Sequence, residues 1–516
     1  MKQVEEIMTN YGPISEIWFD MGSLTAEQSK ELYDLVTRLQ PRCMVSGRLG
    51  NDRGDFAVMA DNKMPDHKIG VPWQTAASFF HETWSYRSWQ ERGNLDAKIN
   101  EKIGSLVKVV SRGGNYLLNI GPRGDGTVVE FEKDALLAMG QWLKNYGEAI
   151  YSTTANPFDH APEWGDITRK GNNLYLFVEK MSDNREIELK GVIGKAKRAT
   201  LLLDGKALDT KQNGQTVSVA IPRTVQPDRG IIVVKLEFED TFRAVPDQVL
   251  KTKVLTAVNA IPVYAHSSMD YYSSYRSTVG FAWHFEKKGA TVTPTVVYTA
   301  GDQDRVVRLT IDGEVQDVTL TGGKTQALNG NPRSLHWGNV YMYSARGGAY
   351  TGNAEGLKKN IDIIGDGWKS RQDLKPGEEV KIPVEEKESV EILHEFTSDR
   401  EQDILVEIAV ADGTQVILNG KRVSLRSYVG GVPRNNTVVK LHVQKGKNQL
   451  IVQLYNRYGK EVTYLMNPNV KQEEYKLRLN PMELYPGNIH DCTLKEAFPV
   501  NKNSDMGLRD TRVEFE

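Results

Sequence analysis

Near Tyr151 the sequence changes texture, and that break constrains the fold more than any other feature. Before it, strand-like and helix-like patterns alternate. Residues 13–20 read as a short apolar strand ending in a carboxylate, Ile17-Trp18-Phe19-Asp20. Residues 25–39 carry Leu32, Leu35, Val36 and Leu39 at helical spacing, and Pro41 stops that helix before a strand at 43–45. The same reasoning predicts a helix over 95–111, ended by Gly113-Gly114, then a strand at 116–120 and a helix at 131–146. Strands alternating with helices of this length imply βαβ units and a parallel sheet. After Tyr151 the helical spacing nearly vanishes. Short apolar runs at 174–178, 199–203, 231–236, 292–298, 306–311, 404–410, 415–418 and 449–455 are separated by turn residues. Asp204-Gly205, Asp312-Gly313 and Asn419-Gly420 are strong hairpin signals. This is the pattern of antiparallel sandwiches. The expected organisation is a β/α domain over 1–150, then sandwiches at 151–240, 241–385 and 386–516. An alternative places a sandwich at 335–465 inside a longer one.

Composition narrows the function classes. With 65 Lys+Arg against 67 Asp+Glu, the formal charge of −2 rules out a broad electrostatic footprint for nucleic acid or an anionic membrane. Only Cys43 and Cys492 are present, so no disulfide framework or cysteine zinc site is expected. No uninterrupted apolar run is long enough to span a bilayer, and the acidic start Met1-Lys2-Gln3-Val4-Glu5-Glu6 has no apolar leader core. The 45 glycines and 21 tyrosines suggest many turns and ring-lined, sugar-handling surfaces.

Three stretches concentrate the chemistry. Asp20 stands at the C-terminal end of its strand, where parallel β/α barrels place catalytic groups, and Trp18 shares its face two residues earlier. Structural readings of Asp20 as a helix cap or loop carboxylate stay open on local sequence alone. The loop at 46–55 is dense in polar groups, with Arg48 nearest the strand end. The third stretch, at 72–86, gathers Trp73, His81, Glu82, Trp84 and Tyr86; Glu82 is its only acid, and either tryptophan can equally be core. No phosphate-cradling glycine loop or His-Glu-x-x-His metal motif occurs, and the nine histidines are scattered, so no metal is expected.

These residues resemble a known family. Tyr11-Gly12-Pro13-Ile14 running into Ile17-Trp18-Phe19-Asp20 looks like the nucleophile strand of bacterial α-L-fucosidases. Leu32-Tyr33-Asp34-Leu35 with Leu39-Gln40-Pro41 is similar to their next helix. Gly113-Gly114-Asn115-Tyr116-Leu117-Leu118-Asn119-Ile120-Gly121-Pro122, with Asp125-Gly126-Thr127 and the segment from Trp142 to Tyr151, resembles stretches specific to that family. The resemblance covers about residues 1–240. It implies the C-terminal half of a (β/α)8 barrel, then a fucosidase-type sandwich and appended sandwiches that are possible carbohydrate-binding modules. It further implies a retaining, cofactor-free hydrolysis of fucosylated oligosaccharides or glycoconjugates, with Asp20 as nucleophile. Trp18 and Arg48 fall where the family contacts fucose, and Trp73 and Trp84 are further candidates for substrate binding.

Two departures shape the expectation. Many family members carry Trp-Glu as acid/base where this chain has Trp73-Gln74, and a neutral amide cannot donate a proton. Glu82 is therefore the expected acid/base, with Asp52 and Asp55 in reserve. The family's nucleophile strand lies near the middle of its barrel, whereas here 13 residues precede Ile14. Only about four barrel strands are expected, as in an N-terminally truncated product of a longer, periplasmic or secreted enzyme. The rival expectation is an inactive fragment or a non-catalytic carbohydrate-binding protein using Tyr271, Tyr272, Tyr275 and Trp283 as a platform. A β-fucosidase or galactosidase on the same scaffold is the third.

Overall fold

The computed structural model describes residues 1–20, 24–51, 53–65, 69–264, 278–345, 367–386, 388–409, 411, 413–427, 436–456, 459–497, 508 and 510–516. Two compact units result. The first is built on Met1–Gln248 and the second on Val249–Val263 with Ser268–Glu516.

In the first unit the chain runs α1 (Lys2–Asn10), β1 (Glu16–Ile17), α2 (Ala26–Leu39), β2 (Met44–Val45), β3 (Ala57–Val58), β4 (Trp73–Ser78), α3 (Leu95–Ser111), β5 (Asn115–Asn119) and α4 (Glu130–Tyr146). All strand pairings here are parallel: β1 with β2, β3 with β4 and β4 with β5. A single parallel bridge between Ser46 and Phe56 links the two groups. The result is a curled, half-barrel sheet with helices on its outside. Helix α2 begins where Thr25 and Gln28 cap one another reciprocally, which satisfies two otherwise orphaned N–H groups. Its Val36 packs with Met8, Cys43, Val45 and Leu49 in a small core.

A seven-stranded antiparallel sheet completes this unit. Its interior strand Asn173–Val178, second from one edge, is buried on both faces, which explains its unbroken apolar run. Leu174, Leu176 and Val178 face the sandwich core, while Tyr175 and Phe177 pack with Ile103, Met139 and Trp142 of α3 and α4. Helices α3 and α4 and one face of this sheet thus share a hydrophobic core, with the sandwich's own core on the sheet's other face.

The second unit is all β, and its pairings cross residue 385. Strand Leu335–Ala345 pairs along its length with Glu388–Ser398, which pairs in turn with Gly446–Asn456. Flanking them in sequence, Pro294–Thr299 pairs with Lys471–Arg478, and Thr278–Glu286 with Ile489–Glu496. One sandwich is therefore nested within another, and residue 385 is no domain edge. Each has its own core. Asp312 and Asn419 take the positive φ of 48° that tight hairpins demand, each followed by a positive-φ glycine. Trp283, the platform candidate, is instead buried in the outer core and donates its indole N–H to the Thr256 carbonyl at 2.9 Å. The other three platform tyrosines, 271, 272 and 275, lie outside the described residues. No helix among the described residues is long and apolar enough to cross a membrane.

Candidate functional site

The curl of the parallel sheet brings β1 and β4 within side-chain reach. Residues 16, 18 and 20 alternate onto one face, as extended backbone requires. The Trp18 indole donates to the Gln74 side-chain carbonyl at 3.1 Å. The Gln74 amide then donates to both carboxylate oxygens of Glu16 at 3.2 Å. Gln74 is thus held between a donor and an acceptor on β1, which an amide satisfies and a carboxylate does not.

Beyond β1 the chain delivers Asp20, half exposed, to the C-terminal end of the sheet. Arg48 sits in the short turn after β2 and donates Nη1 to Asp20 Oδ1 at 3.2 Å. Its Nη2 donates to Asp61, in the loop after β3. The guanidinium also lies over the Trp18 ring, 5.0 Å from its centroid. One cation therefore orients two carboxylates and an indole face, all at one end of a parallel sheet. Among the described residues no group of three His, Cys, Asp or Glu is placed to hold a metal ion.

The remaining candidates scatter. Glu82 and Trp84 are exposed in the loop after β4, and Glu82 makes no hydrogen bond or ion pair among the described residues. Trp73 is 1% exposed and points away from the cluster, donating its indole N–H to the Arg112 carbonyl at 3.3 Å. That is a packing position and not a substrate-binding one: alternation along β4 puts Gln74 toward the cluster and Trp73 behind it. The position also explains the Gly113-Gly114 pair. Gly113 takes φ +83° as α3 ends, and a Cβ on Gly114 would lie 2.3 Å from the Trp73 ring. Asp55 is structural too, accepting from the Tyr33 hydroxyl and the Val45 N–H, both at 2.7 Å. Burial first, then the Asp55 carboxylate, pushes Tyr33 up to about 12. Asp52 lies outside the described residues. Sequence reasoning missed Glu16 and Asp61. The first was available from i, i+2, i+4 alternation with Trp18 and Asp20; the second follows a strand of only two residues, too short to leave a pattern.

A parallel β/α sheet with a polar cluster at its C-terminal strand ends is the arrangement of β/α-barrel enzymes. Residues 1–148 match the family model described as alpha-L-fucosidase. A 166-residue stretch is 47% identical to tissue alpha-L-fucosidase of Mus musculus, covering 31% of this chain and 35% of that protein. Plasma alpha-L-fucosidase of Homo sapiens is 30% identical over 244 residues, 43% of this chain and 51% of its own length. Over residues 1–148 the chain is thus similar to the alpha-L-fucosidase family. It spans about a third to a half of these two relatives. Among solved structures, alpha-L-fucosidase isoenzyme 1 of Paenibacillus thiaminolyticus is 30% identical with a TM-score of 0.42, over 46% of this chain and 61% of that one.

Proposed function

We propose that the Asp20 cluster is the active-site end of a retaining glycoside hydrolase that releases α-L-fucose from fucosylated glycans. The observation that carries this reading is the Asp20–Arg48–Trp18 constellation, lying inside the residues that match the family. Asp20 attacks the anomeric carbon, the glycosidic bond breaks and a covalent fucosyl ester forms. A second carboxyl gives its proton to the departing oxygen and then takes one from the water that cleaves the ester. Arg48 aims the Asp20 carboxylate, and the indole of Trp18 offers an apolar face to the sugar ring.

For the second carboxyl, Glu82 and Asp61 compete. A proton donor works best with no cation beside it, because a cation favours the ionised acid. Asp61 is committed to Arg48, whereas Glu82 has no cationic partner among the described residues, so Glu82 takes the acid/base role and Asp61 fixes Arg48.

The test is covalent labelling of the chain with 2-deoxy-2-fluoro-fucosyl fluoride, read by peptide mass spectrometry, beside hydrolysis of an aryl α-L-fucoside. The label is expected on the peptide containing Asp20. Asp20→Asn is expected to abolish labelling and cut turnover at least about 10³-fold. Label on another carboxylate, or an unaffected rate, overturns the assignment. Glu82→Gln is expected to slow substrates with poor leaving groups far more than activated aryl fucosides; equal rates on both would return the acid role to Asp61.

A further inference from the structure

The nested sandwich of the second unit carries a cleft of about 820 Å³, within the roughly 300–1,000 Å³ typical of small-ligand sites. It opens where strands Leu335–Ala345 and Glu388–Ser398 fall out of register. Trp337 pairs with Phe396 and Val340 with His394, so Gly338 and Asn339 together face the single residue Glu395. A bulge of this kind bends its strand and re-aims the side chains beside it. Gly338 is suited to the bend, since a Cβ there would lie 3.1 Å from the Glu395 carbonyl.

The bulge turns Trp337 into a wall of the cleft. Its ring packs on Phe396 with centroids 4.6 Å apart and meets the edge of His394 at 6.1 Å, so it is braced from behind. Its indole N–H is shielded from water and has no hydrogen-bond partner among the described residues. The rim is polar but balanced in charge. Asn339 and Gln444 present exposed carboxamides, with one carboxylate, Glu395, and one ammonium, Lys447. Neither Glu395 nor Lys447 is engaged in an ion pair or side-chain hydrogen bond among the described residues.

We propose that this cleft is a binding site for a neutral oligosaccharide. The braced indole offers a flat apolar surface for the C–H face of a sugar ring. The carboxamides and the lone charges offer both donors and acceptors for its hydroxyls. An anionic ligand is disfavoured because the single Lys447 is offset by Glu395. A purely apolar ligand would strand the polar rim. The site stands independently of the Asp20 chemistry.

The experiment titrates the full chain carrying Asp20→Asn, which removes turnover, with N-acetyllactosamine, 2′-fucosyllactose and xylotriose, followed by saturation-transfer NMR. Binding of at least one sugar is expected, weakened about tenfold or more by Trp337→Ala and severalfold by the exposed-residue variant Gln444→Ala. Because Gln444 is exposed, its variant keeps the result interpretable if Trp337→Ala unfolds. No binding of any of the three sugars overturns the proposal. So does binding that both cleft variants leave unchanged, which would place the glycan elsewhere.

Discussion

The parallel region and the nested sandwich solve opposite problems with strands. In the first, β1, β2 and β3 are two residues each, and side chains carry much of the linkage: Trp18, Gln74 and Glu16 bridge β1 and β4, and Arg48 gathers Asp20 and Asp61. In the second, strands Glu388–Ser398 and Gly446–Asn456 run eleven residues each and pair along their whole length. Short strands leave loops at the sheet end free to hold reactive groups in water, whereas long strands spend their polar groups on structure. The difference predicts where a substitution costs catalysis and where it costs folding.

The largest effect belongs to the first region, the loss of labelling and turnover in Asp20→Asn described above. Because Asp20 is half exposed, that variant is expected to shift stability little; a large drop in urea midpoint would erase the contrast. The counterpart in the second unit is Asp312, 1% exposed at its side chain and facing the fully buried His490 ring at 2.6 Å. Asp312 also accepts the backbone N–H groups of Tyr485 at 2.8 Å and Asp491 at 2.9 Å. Asp312→Ala leaves His490 and two donors without their acceptor, so urea denaturation is expected to show a loss of about 3–5 kcal/mol. A loss below about 1 kcal/mol would mean that the pair is not the closed structural device described.

A smaller effect separates the regions by pH. His394 lies in the nested core, bonded to the Tyr464 hydroxyl, and burial holds its ring down at about 3 from the usual 6.5. A histidine whose folded value is depressed contributes its full stability above the unfolded value and loses it as pH falls. Between pH 7 and 5 the expected loss is about 2 kcal/mol, checked by urea midpoints at the two pH values. His394→Gln is expected to flatten that slope; an unchanged slope would assign the pH dependence to other groups.

How much of this the sequence disclosed differs by region in the same way. Helix α3 was legible to the residue because apolar spacing and the Gly113-Gly114 stop agree, and the structure adds an Asn94 cap at its start. The long sandwich strands left alternating or continuous apolar runs. The nested order was open only as the alternative of a sandwich at 335–465 inside a longer one, because pairing between residues dozens of positions apart leaves no local trace; the division expected at 385 fell inside one sheet. In the parallel region, residues 73–78 form a fully buried strand that reads as a generic aromatic cluster. The cluster's members Trp18, Asp20 and Arg48 were legible through family resemblance and strand-end position. Asp61 was not, since only the fold brings it to Arg48.

The smallest effect tests Gln74, the position where the resemblance described above implies an acid. The Gln74 amide donates to Glu16 and its carbonyl accepts from Trp18, so the residue is matched on both sides. Gln74→Glu would keep the Trp18 contact but set a second carboxylate against Glu16 in a position only 7% exposed. Like charges so placed resist joint ionisation, and the cheapest relief is a proton shared between them. The variant is therefore expected to lose about 1–2 kcal/mol at neutral pH and to regain it as the pH falls and the pair takes up a proton. If instead Gln74→Glu is fully stable at pH 7 and raises fucoside hydrolysis, the amide is a lesion in the acid/base position. If it is destabilised and no more active, Gln74 is a strut that braces Trp18 for the sugar, and proton transfer belongs to a carboxyl beyond the strand.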